Sequence, residues 1–428
     1  MSSTTHLPPP EGLAPTTTAA QAPAPAGRRL RRILCLDDFE TAARAHLPRP
    51  LFGYIAGAAE TNLSLRSNRE VFDEFRFVPR VLVDVSRRSL ARELFGRTYA
   101  APFGIAPLGL SALTAYRGDI VLAKAAAGAG IPMIMSGSSL IRLEDVAAAS
   151  PQAWFQAYLP GDADAIAALV ARVQRAGFGT LVVTVDMPIA ANRENNVRAG
   201  FSTPLRPSLR LAWDGLTHPR WLLGTLGRTL WRHGMPHFEN NYATRGAPIL
   251  SRHVERDFSD RGHLHWGHLA QIRRQWPGRL VVKGILHVDD ACRARDTGAD
   301  GLILSNHGGR QLDGAVSALQ VLPGIVQACP EIPVMLDGGI RRGTDVLKAL
   351  ALGARFVFAG RPFAFAAAVA GEAGVSHAIR LLSAEVSRDM AMLGLTALDG
   401  SAGAGTLVPG AYISSTQLRH VQRAHGAD

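Results

Sequence analysis

The sequence predicts one large (β/α)8 barrel with an N-terminal helical extension and a long insertion after the fourth strand. Short apolar, β-branched runs alternate with alanine-rich helical stretches from about residue 100 onward. This alternation predicts parallel strands joined by crossover helices. The apolar runs have no polar face, which indicates a sheet covered on both sides. Eight such units occur, and eight favour a closed barrel over an open sheet.

Each strand is predicted from one apolar run bounded by glycine, proline or polar residues. In chain order the runs are residues 103–107, 132–137, 153–159, 180–188, 279–285, 301–306, 333–339 and 355–361. No run is followed by GxGxxG, so a dinucleotide-binding fold is a weak alternative. Residues 36–60 are predicted to form helices before the barrel, and residues 371–394 a final pair of helices after it.

Roughly 90 residues separate the fourth and fifth predicted strands, far more than an ordinary barrel loop contains. Within them, residues 199–262 are predicted to form an insertion. The insertion is rich in arginine, and its tryptophans Trp213, Trp221 and Trp231 are interleaved with leucines. Two interpretations stay open for this segment. It docks on an anionic membrane surface, or it forms a soluble lid over the active site.

The remaining boundaries follow from composition. Residues 1–32 are rich in proline, alanine and threonine and are predicted to be a disordered tail. The stretch GRRLRRILCLDDFE resembles a targeting signal, but Asp37 and Asp38 follow at once and no apolar region develops. The barrel with its insertion is predicted to span residues 33–400, and residues 401–428 to form a C-terminal tail.

Composition narrows the class of protein. Hydrophobic residues make up 47% of the 428 residues and charged residues 19%, as in a globular protein with a substantial core. The net charge of +11 comes mainly from arginine, and no nucleic-acid-binding motif accompanies it, so no nucleic-acid partner is expected. Cys35, Cys292 and Cys329 are scattered, which predicts a cytoplasmic, disulfide-free protein without a metal site. No run of 18 apolar residues is present.

Polar or glycine residues end almost every predicted strand, at the rim where barrel enzymes carry their active sites. Along the chain this rim set is Pro107, Leu108, Gly109, Ser136, Gln156, Tyr158, Thr184, Asp186, Arg193, Lys283, Ser305, His307, Arg310, Asp337, Gly339, Arg341, Gly360 and Arg361.

The last two strands favour a phosphate site. LDGGIRRG and FAGRP place small residues where backbone N–H groups can approach an anion, with Arg341 and Arg361 beside them. The alternative is two glycine turns with surface arginines. Lys283 follows a buried strand in a chain that otherwise prefers arginine. It indicates a site that needs a compact point charge, unless the lysine simply caps the strand.

The stretch SNHGGRQLDG, residues 305–314, is the strongest candidate for a catalytic loop. Asp186 on the fourth strand is the candidate carboxylate partner of His307, because the two strand ends lie close across the rim. Arg310 would then bind a substrate carboxylate bidentately. A core histidine beside a glycine turn and a solvated arginine is the alternative interpretation.

These motifs resemble the FMN-dependent L-2-hydroxy-acid oxidase and dehydrogenase family. SNHGGRQLDG and LDGGIRRGTDVLKALALGA carry the resemblance, and VVKG, TVDMP and WFQAY agree in order and spacing. The match runs from about residue 34 to 397. Motifs of the insertion, DGLTHPRWLL and RHGMP, are most similar to the membrane-associated lactate and mandelate dehydrogenases.

The resemblance implies a role for each rim residue when bound FMN is the cofactor. His307 is the base and Asp186 its partner, while Arg310 and Tyr54 hold the substrate carboxylate. Arg193 and Tyr158 complete the substrate site, and Lys283 offsets negative charge on the N1–O2 side of the reduced flavin. The remaining residues bind FMN: residues 107–109 near N5; Ser136, Gln156 and Thr184 on the ring system; Ser305 and Asp337 on the flavin or its ribityl chain; Gly339, Arg341, Gly360 and Arg361 on the phosphate.

The resemblance further implies oxidation of a small 2-hydroxy acid to the 2-oxo acid. Electrons pass to a quinone or another respiratory acceptor, and the protein is a homo-oligomer, a tetramer. Membrane contact through the insertion would place it on the inner face of the cytoplasmic membrane. Lactate and mandelate are the leading substrates, with a slight preference for lactate. Leu108 offers no hydroxyl where the family has threonine, residues 57–59 read Gly-Ala-Ala instead of Ser-Gly-Ala, and Ser138 replaces an aromatic residue, which implies a roomier pocket.

The sequence is compatible with three other functions. A soluble oxidase of the same family would produce peroxide rapidly in air. A flavin-dependent enzyme that modifies a peptide or secondary metabolite would use the same barrel, and its genomic neighbours would reveal it. A non-enzymatic flavin-binding protein is disfavoured, because His307, Arg310, Asp186, Lys283 and Tyr54 are all present.

Overall fold

A computed structural model describes residues 29–202, 208–251, 261–398 and 406–409 of the chain. The predicted N-terminal tail falls almost wholly outside the described residues, as does most of the predicted C-terminal tail. The strands are β1 (Phe75–Phe77), β2 (Arg92–Leu94), β3 (Arg97–Tyr99), β4 (Phe103–Ile105), β5 (Ile134–Ser136), β6 (Trp154–Ala157), β7 (Thr180–Thr184), β8 (Arg279–Ile285), β9 (Gly301–Leu304), β10 (Val334–Asp337), β11 (Phe356–Ala359) and β12 (Leu407–Pro409).

Strands β4 to β11 form one parallel eight-stranded sheet in the order β4-β11-β10-β9-β8-β7-β6-β5. A parallel bridge between Ile105 and Met133 joins its two outer strands, so the sheet closes on itself. Each of the eight strands lies within one of the predicted apolar runs. The prediction of a (β/α)8 barrel is therefore confirmed.

Helices cover the outside of the barrel and extend it at the N-terminus. They are α1 (Leu36–Arg44), α2 (Arg49–Ala56), α3 (Leu63–Glu70), α4 (Ser111–Thr114), α5 (Gly118–Gly128), α6 (Leu143–Ala149), α7 (Ala163–Arg175), α8 (Glu194–Ala199), α9 (Leu209–Leu216), α10 (Pro219–Trp221), α11 (Arg228–His233), α12 (Trp266–Gln275), α13 (Val288–Asp296), α14 (Ala318–Ala328), α15 (Gly343–Ala351) and α16 (Arg361–Leu393). Short 3-10 turns occur at Leu30–Arg32, Val71–Glu74 and His307–Gly309, and a π-helical segment, Leu222–Gly227, joins α10 to α11.

Aromatic side chains close the N-terminal end of the barrel. The hairpin of β2 and β3 brings Tyr99 into edge contact with Phe356, with ring centroids 5.6 Å apart. Phe95 at the hairpin turn packs on Trp154, which in turn packs on Phe358. These rings fill the bottom of the barrel, so a ligand can enter only from the C-terminal ends of the strands.

The predicted final helix pair is wrong. Residues 372–393 form one unbroken helix within α16, and the backbone leaves helical geometry just before them, at Ala370 and Gly371. Gly371 has a φ of +56°, a conformation that glycine adopts at little cost. Gly374 lies inside this helix, and it must be glycine because a Cβ there would come within 2.2 Å of the Ala366 carbonyl oxygen. It marks a close backbone contact and not a break.

Residues 209–233 of the insertion are largely helical, and this part is attached to the rim of the barrel. The indole N–H of Trp221 donates to the carbonyl of Leu113 in α4, at 2.8 Å. Trp213, Leu223 and Trp231 are instead 67%, 72% and 82% exposed. Residues 203–207 and 252–260 of the insertion lie outside the described residues. Among the helices that the structure describes, none has the length and apolar character needed to cross a bilayer.

Candidate active site

A cavity of about 510 Å3 opens at the C-terminal ends of the barrel strands. Its volume is in the range of small-molecule and cofactor sites. Most of the predicted site residues line it: Tyr54, Pro107, Leu108, Gly109, Tyr158, Thr184, Arg193, Lys283, His307, Arg310, Asp337, Gly339, Arg341, Gly360 and Arg361. Ser136, Gln156, Asp186 and Ser305 lie one layer behind and hydrogen-bond to residues of the wall or to each other.

His307 and Asp186 form a hydrogen-bonded pair at this rim. The His307 Nδ1 atom lies 2.9 Å from Asp186 Oδ1, and both side chains are largely buried. Because a carboxylate can only accept, Nδ1 carries the proton and Nε2 presents a lone pair. Nε2 lies 3.4 Å from the Tyr158 hydroxyl, on the cavity side of the ring. This tautomer gives the site a general base.

The surroundings keep this base neutral. Burial lowers the pKa of His307 below its usual value, Asp186 acts in the opposite direction, and the cations Lys283 and Arg193 lower it further. Burial would raise the pKa of Asp186, but the His307 ring and the Lys283 ammonium hold it below its usual value. At neutral pH the pair is therefore a neutral imidazole beside a carboxylate, which is the form that can accept a proton.

The catalytic loop is held in a strained turn by residues that the sequence analysis did not assign. His307 has a φ of +57°, unusual for a non-glycine residue, and Gly308 and Gly309 follow at +63° and +75°. Asn306 exchanges two side-chain hydrogen bonds with Asn68, at 2.8 and 2.9 Å, and accepts the Gly309 N–H. Buried amides that satisfy each other fix the loop rigidly. Asn306 belongs to the motif SNHGGRQLDG, whereas no pattern in the sequence marks Asn68.

Arg310 and Tyr54 lie side by side in the wall of the cavity. The Arg310 Nη1 atom donates to the carbonyls of Tyr54 and Gly57, at 2.6 and 2.8 Å. Nη2 of Arg310 is buried without a partner among the described residues. Burial, and then the neighbouring Arg193, lower the pKa of Arg310 to about 10. Nη1 of Arg310 is thus occupied by backbone carbonyls, whereas Nη2 remains for a ligand, with the Tyr54 ring beside it.

Arg193 is less free than the sequence suggested. Its Nε atom donates to the Arg310 carbonyl at 3.0 Å, and its Nη2 atom donates to Gln311 Oε1 at 2.6 Å. These bonds fasten the loop after β7 to the catalytic loop. Arg193 still lines the cavity and adds positive charge there.

Lys283 reaches the cavity from the middle of the rim. Its ammonium group lies 2.9 Å from Asp337 Oδ2 and donates to Ser305 Oγ at 2.8 Å. The same Ser305 hydroxyl accepts the backbone N–H of His307 at 2.9 Å. The lysine, the serine and the catalytic loop thus form one buried network. An ammonium has three N–H donors, and two have these partners, so one remains for a ligand.

Several buried polar atoms around the cavity lack hydrogen-bond partners in the part of the protein that the structure describes and could bind a polar ligand. Within the described residues, Gln156 Nε2, Thr184 Oγ1 and Asp337 Oδ1 have no hydrogen-bond partner. Gln156 Oε1 is held by the Ser136 hydroxyl at 3.2 Å, which aims the amide. Leaving such groups unpaired costs about 1–3 kcal/mol each. Gln156 and Thr184 lie on the adjacent strands β6 and β7, and Asp337 lies farther around the barrel on β10, an arrangement that fits a planar ligand with donors and acceptors along its edge.

The rim beside β10 and β11 is strongly positive. Arg361 donates to the carbonyls of Ile55, Gly57 and Gly308, and no carboxylate bonds to it among the described residues. Burial, followed by Arg310 and Arg341, drives the pKa of Arg361 well below its ordinary value. Two further buried cations beside this guanidinium favour an anionic ligand.

Glycine is needed where this rim meets the N-terminal extension. A Cβ on Gly339 would lie 1.9 Å from the Asn68 carbonyl oxygen, and its φ is +79°. The backbone can therefore pass close to α3 and leave room for an anion beside Arg341.

A parallel barrel with a neutral histidine base, an arginine with an unpaired nitrogen, a buried lysine and a cationic pocket fits an oxidoreductase with a phosphate-bearing cofactor. Comparison with known proteins agrees. The model of the FMN-dependent dehydrogenase family matches residues 43–403, and the chain belongs to that family.

Its relatives include a mandelate dehydrogenase and a lactate dehydrogenase. The (S)-mandelate dehydrogenase of Pseudomonas putida is 38% identical over 366 residues, which is 84% of this chain and 90% of that protein. An L-lactate dehydrogenase of Xanthomonas campestris pv. campestris is 40% identical over 371 residues, 85% of this chain and 94% of that protein.

Solved structures agree with the fold. The monotopic membrane protein (S)-mandelate dehydrogenase superposes with a TM-score of 0.80 at 36% identity, covering 88% of this chain and 99% of that chain. Mandelate oxidase with (S)-2-phenylpropionate gives a TM-score of 0.71 at 35% identity, covering 86% and 96%.

The residues fit FMN, the cofactor of this family. Thr184 and Lys283 line the cavity and offer donors there, Asp337 offers an unpaired acceptor, and the Gln156 amide lies one layer behind them with an unpaired donor. The cationic rim beside Gly339 and Arg361 suits the phosphate.

Proposed function

We propose that this protein oxidises an L-2-hydroxy acid to the corresponding 2-oxo acid, with bound FMN as the immediate electron acceptor. One observation carries the proposal. The neutral His307 base, the free nitrogen of Arg310 and the Lys283 ammonium all face one cavity. A substrate with a carboxylate next to a hydroxyl-bearing carbon satisfies the first two groups from one small molecule.

The residues have distinct tasks in this reaction. Arg310 Nη2 and the Tyr54 hydroxyl hold the substrate carboxylate, with Arg193 adding positive charge. His307 Nε2 accepts a proton from the substrate, and the Asp186 carboxylate stabilises the imidazolium that results. FMN, when bound, supplies the two-electron oxidant. The Lys283 ammonium would offset the negative charge of the reduced flavin.

The shape of the cavity favours a bulky apolar substrate over lactate. Gly109 and Ser138 line the cavity with small residues and pack closely together, since a Cβ on Gly109 would lie 3.2 Å from Ser138 Cβ and 3.2 Å from the Tyr54 hydroxyl. Met187, Phe201 and Phe238 line the cavity with apolar surface. An aryl 2-hydroxy acid such as mandelate would bury its ring against this apolar surface, whereas lactate would bury only a methyl group.

The test is anaerobic bleaching of the bound flavin by a panel of L-2-hydroxy acids, followed by stopped-flow absorbance. We expect (S)-mandelate to reduce the flavin with a kcat/KM at least tenfold above that of L-lactate. Ser138→Phe should fill the space, costing mandelate about 1–3 kcal/mol, or roughly ten- to hundredfold, while sparing lactate. Gly324→Ala, where a Cβ would meet nothing within 4 Å, is the matched control. No bleaching by any acid of the panel would refute the proposed reaction.

We further propose that the insertion docks on the inner face of the cytoplasmic membrane and that a quinone is the final acceptor. Trp213, Leu223 and Trp231 offer exposed apolar surface on the insertion, and exposed arginines such as Arg220 and Arg232 lie among them. Tryptophan at the interface with arginine at headgroup level suits an anionic bilayer. A soluble lid would need no such outward-facing rings.

Flotation with vesicles containing anionic phospholipid tests the docking. We expect the holoenzyme to float, and the double variant Trp213→Ser/Trp231→Ser to lose most of that binding. The control is Leu82→Ser/Met392→Ser, which removes two exposed apolar side chains elsewhere. Equal flotation of all three proteins would refute docking through this surface. Fast peroxide formation in air with no reduction of a soluble quinone would instead favour an oxidase.

A further inference from the structure

Arg261 is a buried arginine at the end of the insertion, and the reaction proposed above gives it no task. The residue is only 5% exposed. Its guanidinium carbon lies 5.1 Å from the centroid of the Tyr158 ring. Its backbone N–H donates to the carbonyl of Pro188 at 3.0 Å, in the loop after β7 that also carries Arg193. The cation is thus held in place by its own backbone bond as well as by its contact with the ring.

Tyr158 connects this cation to the site. The tyrosine lines the cavity, whereas Arg261 does not. Its hydroxyl lies 3.4 Å from Nε2 of His307, the nitrogen that bears the lone pair. Burial raises the pKa of Tyr158, and Asp186 adds to that effect, while the cations Arg193 and Arg261 act in the opposite direction. The phenol therefore stays protonated at neutral pH and acts as a hydrogen-bond donor.

We infer that Arg261 is a positioning residue, which orients the Tyr158 ring and strengthens its hydroxyl as a donor to the anionic substrate. A cation beside the face of a buried aromatic ring is attracted by the ring quadrupole, and its charge is poorly screened. Both effects favour a phenol that points into the cavity and donates to negative charge. The inference rests on the proposed function, because it requires an anionic ligand in this cavity.

Two substitutions separate the charge from the packing. Arg261→Lys keeps the positive charge on a flexible stem, whereas Arg261→Met keeps an apolar stem of similar length and removes the charge. If packing alone mattered, methionine would be tolerated at least as well as lysine. If the charge matters, lysine restores most of what methionine loses.

The measurement uses the FMN-loaded enzyme and two probes. Binding of benzoylformate is followed by the perturbation of flavin absorbance, and reduction by (S)-mandelate by stopped flow. For Arg261→Met we expect Kd for benzoylformate and KM for mandelate to rise about tenfold, while the limiting rate of reduction changes by less than about threefold. Arg261→Lys should stay within about threefold of the wild type on both probes. FMN content and Tm should be those of the wild type.

Arg293→Met is the matched control, because the Arg293 guanidinium also lies 5.1 Å from an aromatic centroid, that of Trp266, but away from the cavity. Wild-type binding by Arg261→Met, or equal weakening by the lysine and methionine variants, would overturn the inference. If the methionine variant does not fold, a tenfold weakening in the folded lysine variant overturns it. Failure of mandelate to reduce the wild-type flavin counts against the proposed function and leaves the benzoylformate comparison to decide on Arg261.

Discussion

Asp186→Asn is the substitution that most directly probes the proposed base. It preserves the size of the side chain and its ability to accept from Nδ1 of His307, but it removes the negative charge. During the reaction His307 becomes an imidazolium 2.9 Å from that carboxylate. Two unit charges at this separation interact by about 6 kcal/mol at an effective dielectric constant of about 20. Loss of all of it would slow proton transfer about ten-thousandfold.

The expected loss is smaller than this limit, because the amide oxygen still accepts a hydrogen bond. The difference between a charged and a neutral acceptor is commonly worth about 1–2 kcal/mol, which sets a lower bound of about tenfold. We therefore expect the rate constant of anaerobic flavin reduction to fall by about a hundredfold to a thousandfold. Stopped-flow absorbance on the FMN-loaded variant measures it. Asp300→Asn at the opposite end of the barrel, where Asp300 pairs with Arg273 and Arg279, is the control.

The pH dependence gives a second, independent readout. The pKa of His307 lies below its ordinary value, so the base is neutral at pH 7, and kcat/KM should fall only as the pH drops below about 6.5. Asp186 is the group that raises this pKa, through its charge and its hydrogen bond. The acidic limb of Asp186→Asn should therefore lie at still lower pH. Reduction within tenfold of wild type, with an unmoved acidic limb, would refute the role of this pair.

Three further substitutions test a buried carboxyl group, the catalytic loop and the attachment of the insertion. Burial raises the pKa of Asp119 to about 6, so the folded state binds the proton more tightly and stability falls as the pH rises through that value. Asp119→Asn should remove a decrease of about 3 kcal/mol in the free energy of unfolding between pH 4 and 8, measured by urea unfolding at several pH values. The same pH dependence in both proteins would contradict this. Asn306→Ala removes its bonds to Asn68 and should lower the free energy of unfolding by about 2–3 kcal/mol and slow flavin reduction at least tenfold. Trp221→Phe loses the bond to Leu113 and should speed proteolytic cleavage of the insertion severalfold at unchanged Tm.

The barrel could be predicted because each of its strands is a local signal. A strand buried on both faces must be continuously apolar, and its C-terminal end must carry the first polar residue, so Lys283 and Asp337 were placed on the rim by counting strands alone. The break that precedes the last helix could not be located from the sequence for a physical reason. Glycine signals a break and a close contact equally well, and only packing distinguishes Gly371 from Gly374.

The interactions between distant segments could not be predicted. Asn68 and Asn306 are 238 residues apart, and nothing local marks them as partners. Arg310 and Arg361 appeared free to bind anions, yet both donate to carbonyls at the C-terminal end of α2. The last carbonyls of a helix lack partners within it and carry partial negative charge. That contact depends on where the N-terminal extension packs, which is a property of the tertiary structure.

The insertion contacts the wall of the cavity, so its effects on flavin reduction and on flavin reoxidation at a membrane must be measured separately. Trp221 packs on α4, and Ser111 and Thr114 of that helix line the cavity. Trp221, which lies between Trp213 and Trp231 in the chain, therefore connects the insertion to the wall of the cavity. If the exposed face of Trp213 and Trp231 serves only to reach a membrane acceptor, Trp213→Ser/Trp231→Ser should leave reduction by (S)-mandelate unchanged. It should slow reoxidation by quinone in vesicles, but not by a water-soluble acceptor. A slower reduction step in this variant would instead mean that the face supports the substrate site.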